Sequence, residues 1–178
     1  MPKKKIEIEY EEFDSPDELP IDELGLLGCA WSAREKAYAP HSEFMVGAAV
    51  MANEGHIFLG SNQENANLRV SCAERVALEA ASMAGFREQV RKLAVVGGKK
   101  GIDPDDKPEK IEEPVMPCGQ CRQDIKEFED NTGERIVIIS ASRNKVRRFV
   151  GIDNLLPFAF GPKDLEDDDT EEEEGENE

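Results

Sequence analysis

Blocks of distinct hydrophobic pattern follow one another along this chain. Phe44 to Ala52 is a near-continuous apolar run, which predicts a strand covered on both faces. Asn53-Glu54-Gly55 is a turn signal, and His56 to Gly60 reads as the partner strand of a hairpin. Short apolar runs within Lys92–Gly97 and Ile136–Ser140 predict two more buried strands, and Phe149-Val150-Gly151 a last one. Between them the period changes. Pro20 opens a helix to about Ala37, with Leu24, Leu27, Ala30 and Trp31 at helical spacing. Cys72 to about Gly85 predicts a second helix, packed through Val76, Leu78, Ala80 and Met83 and stopped by the glycine. Cys118 to about Glu129 predicts a third. The order helix, strand, strand, helix, strand, helix, strand, strand is an alternating α/β pattern. It implies a three-layer α/β/α sandwich with a five-stranded mixed sheet.

The remaining segments are polar. Residues 1–16 are charged, and Ile6 and Ile8 alternate with glutamates, as a loose arm or a short edge strand would; the arm is the expectation. Gly98 to Glu113 is rich in Lys, Asp, Pro and Glu and reads as an exposed insertion. Arg143 to Arg148 reads as a basic, solvated hairpin turn, and Leu155 to Phe160 as an apolar end piece. Residues 17–165 form one expected domain, and residues 166–178 an unstructured acidic tail.

Composition narrows the partners. The 178 residues carry a formal charge of −17. Ten acids and no bases lie between Glu166 and Glu178, so the rest carries −17 + 10 = −7. That balance disfavours a nucleic acid partner, whose phosphates attract Lys and Arg, and favours a neutral small molecule. No apolar run is long enough to span a membrane, and the basic start meets acids rather than a signal-peptide core. Four cysteines, three in metal-like positions, suit a reducing compartment, so a cytoplasmic protein is expected.

Two stretches carry the candidate chemistry: Ser71-Cys72-Ala73-Glu74-Arg75 and Pro117-Cys118-Gly119-Gln120-Cys121. Cys118 and Cys121 share a helical face. With Cys72 they supply three thiolates, leaving the fourth tetrahedral position of Zn²⁺ open, as in catalytic rather than structural sites. Cys72 and Glu74, two apart, can serve one centre only at a helix start, where the positive helix end also favours a thiolate. A glutamate beside such a centre can shuttle a proton, and the combination is the zinc deaminase signature. Arg75 can donate to the sulfurs and offset their negative charge, or be a surface residue. Asn62 and Glu64 point to the same side of extended backbone and can hold vicinal hydroxyls, although a polar loop is the commoner explanation of such residues. Cys29 reads as a small buried hydrophobe.

With Ala39-Pro40-His41-Ser42-Glu43-Phe44-Met45-Val46-Gly47-Ala48-Ala49, Asn62-Gln63-Glu64-Asn65-Ala66, Cys121-Arg122-Gln123 and Leu155 to Pro162, these stretches make the chain resemble the small cytidine deaminases of pyrimidine salvage, in their three-cysteine form. The likeness runs from about Leu19 to Leu165. It implies a homotetramer that converts cytidine and deoxycytidine to uridine and deoxyuridine with loss of ammonia. Zn²⁺ would sit on Cys72, Cys118 and Cys121, with Glu74 as proton shuttle and Arg75 donating to the sulfurs. The resemblance further implies that Asn62 and Glu64 hold the ribose hydroxyl. The Ala73 N–H would meet the pyrimidine carbonyl, with Phe44 and a neighbouring subunit's Phe160 as aromatic walls. Asn67-Leu68-Arg69-Val70 departs from the family pattern, being shorter and lacking its aromatic residue. That departure keeps open a zinc deaminase of another aminopyrimidine, such as an antibiotic or a modified base. A non-catalytic zinc-binding subunit is the third reading, disfavoured by an intact Glu74.

Overall fold

The central strand is the apolar run itself, Phe44–Ala52, named β2. The computed structural model describes residues 1–67, 69–106, 108 and 112–165, so the acidic tail at 166–178 lies outside the described residues. The other strands are β1 (Glu11–Phe13), β3 (Ile57–Ser61), β4 (Gln63–Glu64), β5 (Val70–Ser71), β6 (Val90–Lys99), β7 (Val137–Ala141) and β8 (Val146–Val150). The helices are α1 (Ile21–Arg34), α2 (Ala73–Met83) and α3 (Gly119–Thr132). The main sheet has the order β1-β8-β7-β6-β2-β3, and β4 and β5 form a separate two-stranded ribbon. Only β6 and β7 run parallel among these neighbours.

The pleat sorts β2 between two layers, since successive side chains point to opposite faces. Ala48 and Val50 pack with Ala77, Leu78, Ala81 and Ile125 under α2 and α3. Ala49 packs with Leu26, Leu27 and Ala30 of α1 on the other face. The three-layer α/β/α architecture is therefore as expected. Gly47 and Gly60 set the spacing, because a Cβ on Gly47 would collide with the α1 backbone at Ala30 and Arg34, and one on Gly60 with α2 at Ala73 and Ala77. Among the described residues no helix is long and apolar enough to cross a membrane.

The sheet has six strands rather than five. The additional one, β1, comes from within the charged arm, and its residues oppose β8 in the pairs Glu11–Arg148, Glu12–Arg147 and Phe13–Val146. Ile6 and Ile8, whose alternation suggested a strand, are exposed. Phe13 packs against the core on the α1 side, and charge supplies the rest of what holds β1. Arg148 donates to Glu11 at 2.6 Å and Arg147 to Glu12 at 2.9 Å, and Lys145 lies 3.1 Å from Glu12. Tyr10 also stacks on Phe149, with ring centroids 5.4 Å apart. The expected basic hairpin turn covers only the first half of the cluster, since Val146 to Arg148 are already strand, and its cations pair with the chain's own acids rather than standing in solvent. Two smaller corrections concern the helices. The first ends at Arg34 rather than Ala37, and Met83 faces solvent rather than the core.

Glu23, in the first turn of α1, is fully buried between two of the cations. It accepts from Lys92 at 2.9 Å and from Arg148 at 2.9 and 3.1 Å. Burial alone would raise its pKa, but the bonds from Arg148 and Lys92 hold it below the ordinary 4.5. Removing one partner from such a buried group leaves the others uncompensated. Glu23→Gln is expected to cost about 3 kcal/mol in a urea unfolding experiment. Because the folded pKa is depressed, the contribution of Glu23 is complete above 4.5 and disappears as pH falls through the lower folded value. The stability gap between parent and variant should therefore close in acid.

Candidate metal centre

Two helices begin at cysteines. Cys72 caps α2 (φ −67°, ψ 150°) and Cys118 caps α3 (φ −67°, ψ 168°), both in extended conformation and neither with a side-chain bond to its helix. The close contact at Gly60 seats the start of α2 on β3, and β5 leads straight into Cys72. Cys121 lies one turn into α3 and is buried, whereas Cys118 is exposed. Their sulfurs converge: Cys72 Sγ is 3.8 Å from Cys118 Sγ, which is 3.5 Å from Cys121 Sγ. All three lie within 4.8 Å of one another. Tetrahedral Zn²⁺ with Zn–S bonds of ~2.3 Å requires sulfurs ~3.8 Å apart, so the three fit the ion without rearrangement. The spacing of the cysteines in sequence had predicted this cluster.

Electrostatics divide the thiols. Cys72 is pushed down to about 6, first by the hydrogen bond from Cys121. Cys121, as the donor of that bond and a buried group, is pushed up. Glu74 is buried beside them, and its carboxyl rises to about 7, chiefly from burial and further from the charge of Cys72. Arg75 turns its guanidinium to Asp124, with Nε to Oδ2 and Nη2 to Oδ1 both at 3.0 Å. With the Gln120 amide assigned so that its oxygen faces Arg75, that oxygen accepts from Nη1 at 2.7 Å and from Nη2 at 2.8 Å. The role of neither Asp124 nor Gln120 was apparent in the sequence: Gln120 stands between the two cysteines of its stretch as a spacer, Asp124 belongs to no motif, and each meets Arg75 only where α2 and α3 adjoin.

The other expected site residues are placed as follows. Ala73 is the first residue of α2, where a backbone N–H has no partner within its helix. Asn62 is buried, accepts from the Val46 N–H at 2.8 Å and donates to the Phe44 carbonyl at 2.9 Å. Glu64 accepts from the N–H groups of His41 and Ser42 at 2.9 and 3.2 Å and from the Ser42 hydroxyl at 2.5 Å. The Ser42 bond leads in holding its carboxyl below the usual range. Both side chains thus brace the loop that presents Phe44, which is partly exposed and rests over Gly97. Phe160 is exposed, and its carbonyl accepts from Gln123 at 2.8 Å. Arg122 ties the same end piece to the metal loop, donating to Pro117 and Leu155 carbonyls at 2.8 and 2.7 Å. Buried Arg34 on α1 clamps the beginning of the 98–113 segment through the carbonyls of Gly98, Lys99 and Ile102, and the Lys100 N–H donates to the Glu43 carbonyl beside Phe44 at 2.9 Å.

A family model described as the cytidine and deoxycytidylate deaminase zinc-binding region matches residues 22–147, which enclose all three cysteines and Glu74. The chain belongs to this deaminase family. It is 40% identical to a cytidine deaminase of Sporosarcina psychrophila over 146 residues, covering 82% of this chain and 96% of that one. Against a cytidine deaminase of Halalkalibacterium halodurans the identity is 35%, over 83% and 100% of the two chains. Among solved structures, a cytidine deaminase from Burkholderia pseudomallei superposes with a TM-score of 0.63 at 39% identity, covering 76% of this chain and 97% of that one. The deaminase fold and a three-cysteine Zn²⁺ centre therefore agree between geometry and kinship.

Two measurements probe the centre. Gly60→Ala forces α2 off β3 and is expected to cost about 1–3 kcal/mol by thermal unfolding, with weaker metal retention. In metal-free protein the thiolate of Cys72 exists above about pH 6 and is lost below it. Alkylation followed by mass spectrometry should then label Cys72 first, at a rate that falls as pH drops through that value.

Proposed function

We propose that this chain catalyses hydrolytic deamination of cytidine and deoxycytidine to uridine and deoxyuridine. The observation that carries the reading is the convergence of three sulfurs with a buried carboxylate at two adjoining helix starts. Bound Zn²⁺ supplies a water of lowered pKa in the position the protein leaves open. Cys72, Cys118 and Cys121 hold the ion. Glu74 carries a proton to N3 of the pyrimidine and then to the departing amino group, a task for which a carboxyl near neutral pKa is suited. The Ala73 N–H orients the base through its carbonyl oxygen. Phe44 forms one aromatic wall, and Asn62 and Glu64, which brace its loop, hold the ribose hydroxyl. Phe160, exposed on the end piece, reaches a neighbouring subunit's site in a homotetramer. Residues 17–165 form the catalytic domain, and the setting is cytoplasmic pyrimidine salvage.

The test is the fall in ultraviolet absorbance when cytidine meets protein of known zinc content. Turnover at about one zinc per chain, lost on chelation and restored by Zn²⁺, is expected. Glu74→Gln should keep the metal and fold while lowering kcat by at least about 100-fold. Full activity in that variant would remove Glu74 from the chemistry. A zinc-loaded parent inert toward cytidine would redirect the search to other aminopyrimidines.

A further inference from the structure

The sheet narrows where it carries Phe44. β3 meets β2 only from Gly47 onward, and β7 meets β6 only up to Val96. Residues 44–46 and 97–99 therefore project as a two-stranded spur, with Phe44 opposite Lys99 at its tip. Asn62 holds the β2 side of this spur through Val46 and Phe44. Arg34, the last residue of α1, holds the rest. A guanidinium has five N–H donors, and four of these go to the spur and its continuation. Nε donates to the Met45 carbonyl at 3.2 Å, Nη2 to those of Gly98 and Lys99 at 3.1 and 2.6 Å, and Nη1 to that of Ile102 at 3.2 Å. Every one of these acceptors is a main-chain oxygen, so the cation joins two strand ends and the chain beyond them. Gly47 permits the reach, because a Cβ there would collide with the Arg34 backbone. Burying a cation in this way is costly unless its donors are satisfied, and the metal centre makes no use of it.

We propose that Arg34 is a positioning residue for the substrate: by pinning the spur to the end of α1, it fixes Phe44, whose ring rests over Gly97, as the wall against which the pyrimidine packs. The inference rests on the proposed nucleoside site. A wall that meets substrate and transition state alike acts on KM and leaves kcat nearly unchanged. Lysine at this position keeps the charge but lacks the planar fork that spans carbonyls of both strands. The spur then loosens, and Phe44 with it.

The experiment uses the full chain loaded with Zn²⁺, in parent, Arg34→Lys, Arg34→Gln, Phe44→Ala and the Arg34→Lys/Phe44→Ala double variant. Arg34→Lys should raise KM for cytidine about tenfold, with zinc content unchanged and kcat within about twofold of the parent. In the Phe44→Ala background the same substitution should leave KM where it was, which a general loss of stability would not do. Amide hydrogen exchange should quicken in peptides covering 43–46 and 97–102 and stay unchanged in those of α2 and α3. Arg34→Gln carries all three measurements should Arg34→Lys fail to fold. An unmoved KM in a folded Arg34 variant would overturn the inference, as would an equal rise with the Phe44 ring absent. A zinc-loaded parent without turnover of cytidine would overturn the deaminase reading instead, and exchange alone would then decide whether Arg34 pins the spur.

Discussion

Three sulfurs can share one ion only if two helices begin side by side on the same face of the sheet. That requirement orders much of the rest. α2 must lie hard on β3, which admits no side chain at Gly60. α3 must start within bonding distance of α2, and the parallel pair β6–β7 places its connection on the α2 face. Small residues along β2 let both layers approach. The buried carboxylate beside the sulfurs then comes almost as a by-product. Glu74 occupies the second position of α2 and is buried by the packing that brings the cysteines together.

A second, separate system of forces holds the opposite side of the molecule. Glu23 meets Lys92 at a separation of 69 residues, and Glu23, Glu11 and Glu12 meet Lys145, Arg147 and Arg148 across more than a hundred. These pairs join α1, β1, β6 and β8, none of which supplies a sulfur. The centre and the ionic network meet in the sheet that both use and at Glu113, which lies on the segment leading to Cys118 and pairs with Lys145 and Arg147.

The parts legible in the sequence were those with local signals. The apolar run Phe44–Ala52 became β2 with the same limits, and the two cysteine-bearing stretches became helix starts. The third layer was legible as well, through the spacing of Leu27 and Ala30. What escaped notice depends on distant partners. β1 is three residues of mostly polar character, so hydrophobic alternation could not find it; its signal is acid in one segment answering base in another. Arg147 and Arg148 looked like a turn for the same reason. Asp124 and Gln120 stand at ordinary helix positions and acquire meaning only once α2 is alongside. Asn62 and Glu64 were recognisable as unusual polar residues, but their bonds to the Phe44 loop needed the fold.

The two outer strands of the sheet differ in a way that matters beyond the molecule's interior. β3 belongs to the apolar body, while β1 is fastened mainly by carboxylates and guanidiniums near the surface. Attraction between such exposed groups fades over about 10 Å in 0.1 M salt and about 3 Å in 1 M salt. Apolar packing has no such sensitivity and is strengthened by sulfate or phosphate. The number of strands in this sheet is therefore partly a property of the solvent: five are set by burial, and the sixth by how well the surroundings let opposite charges see one another.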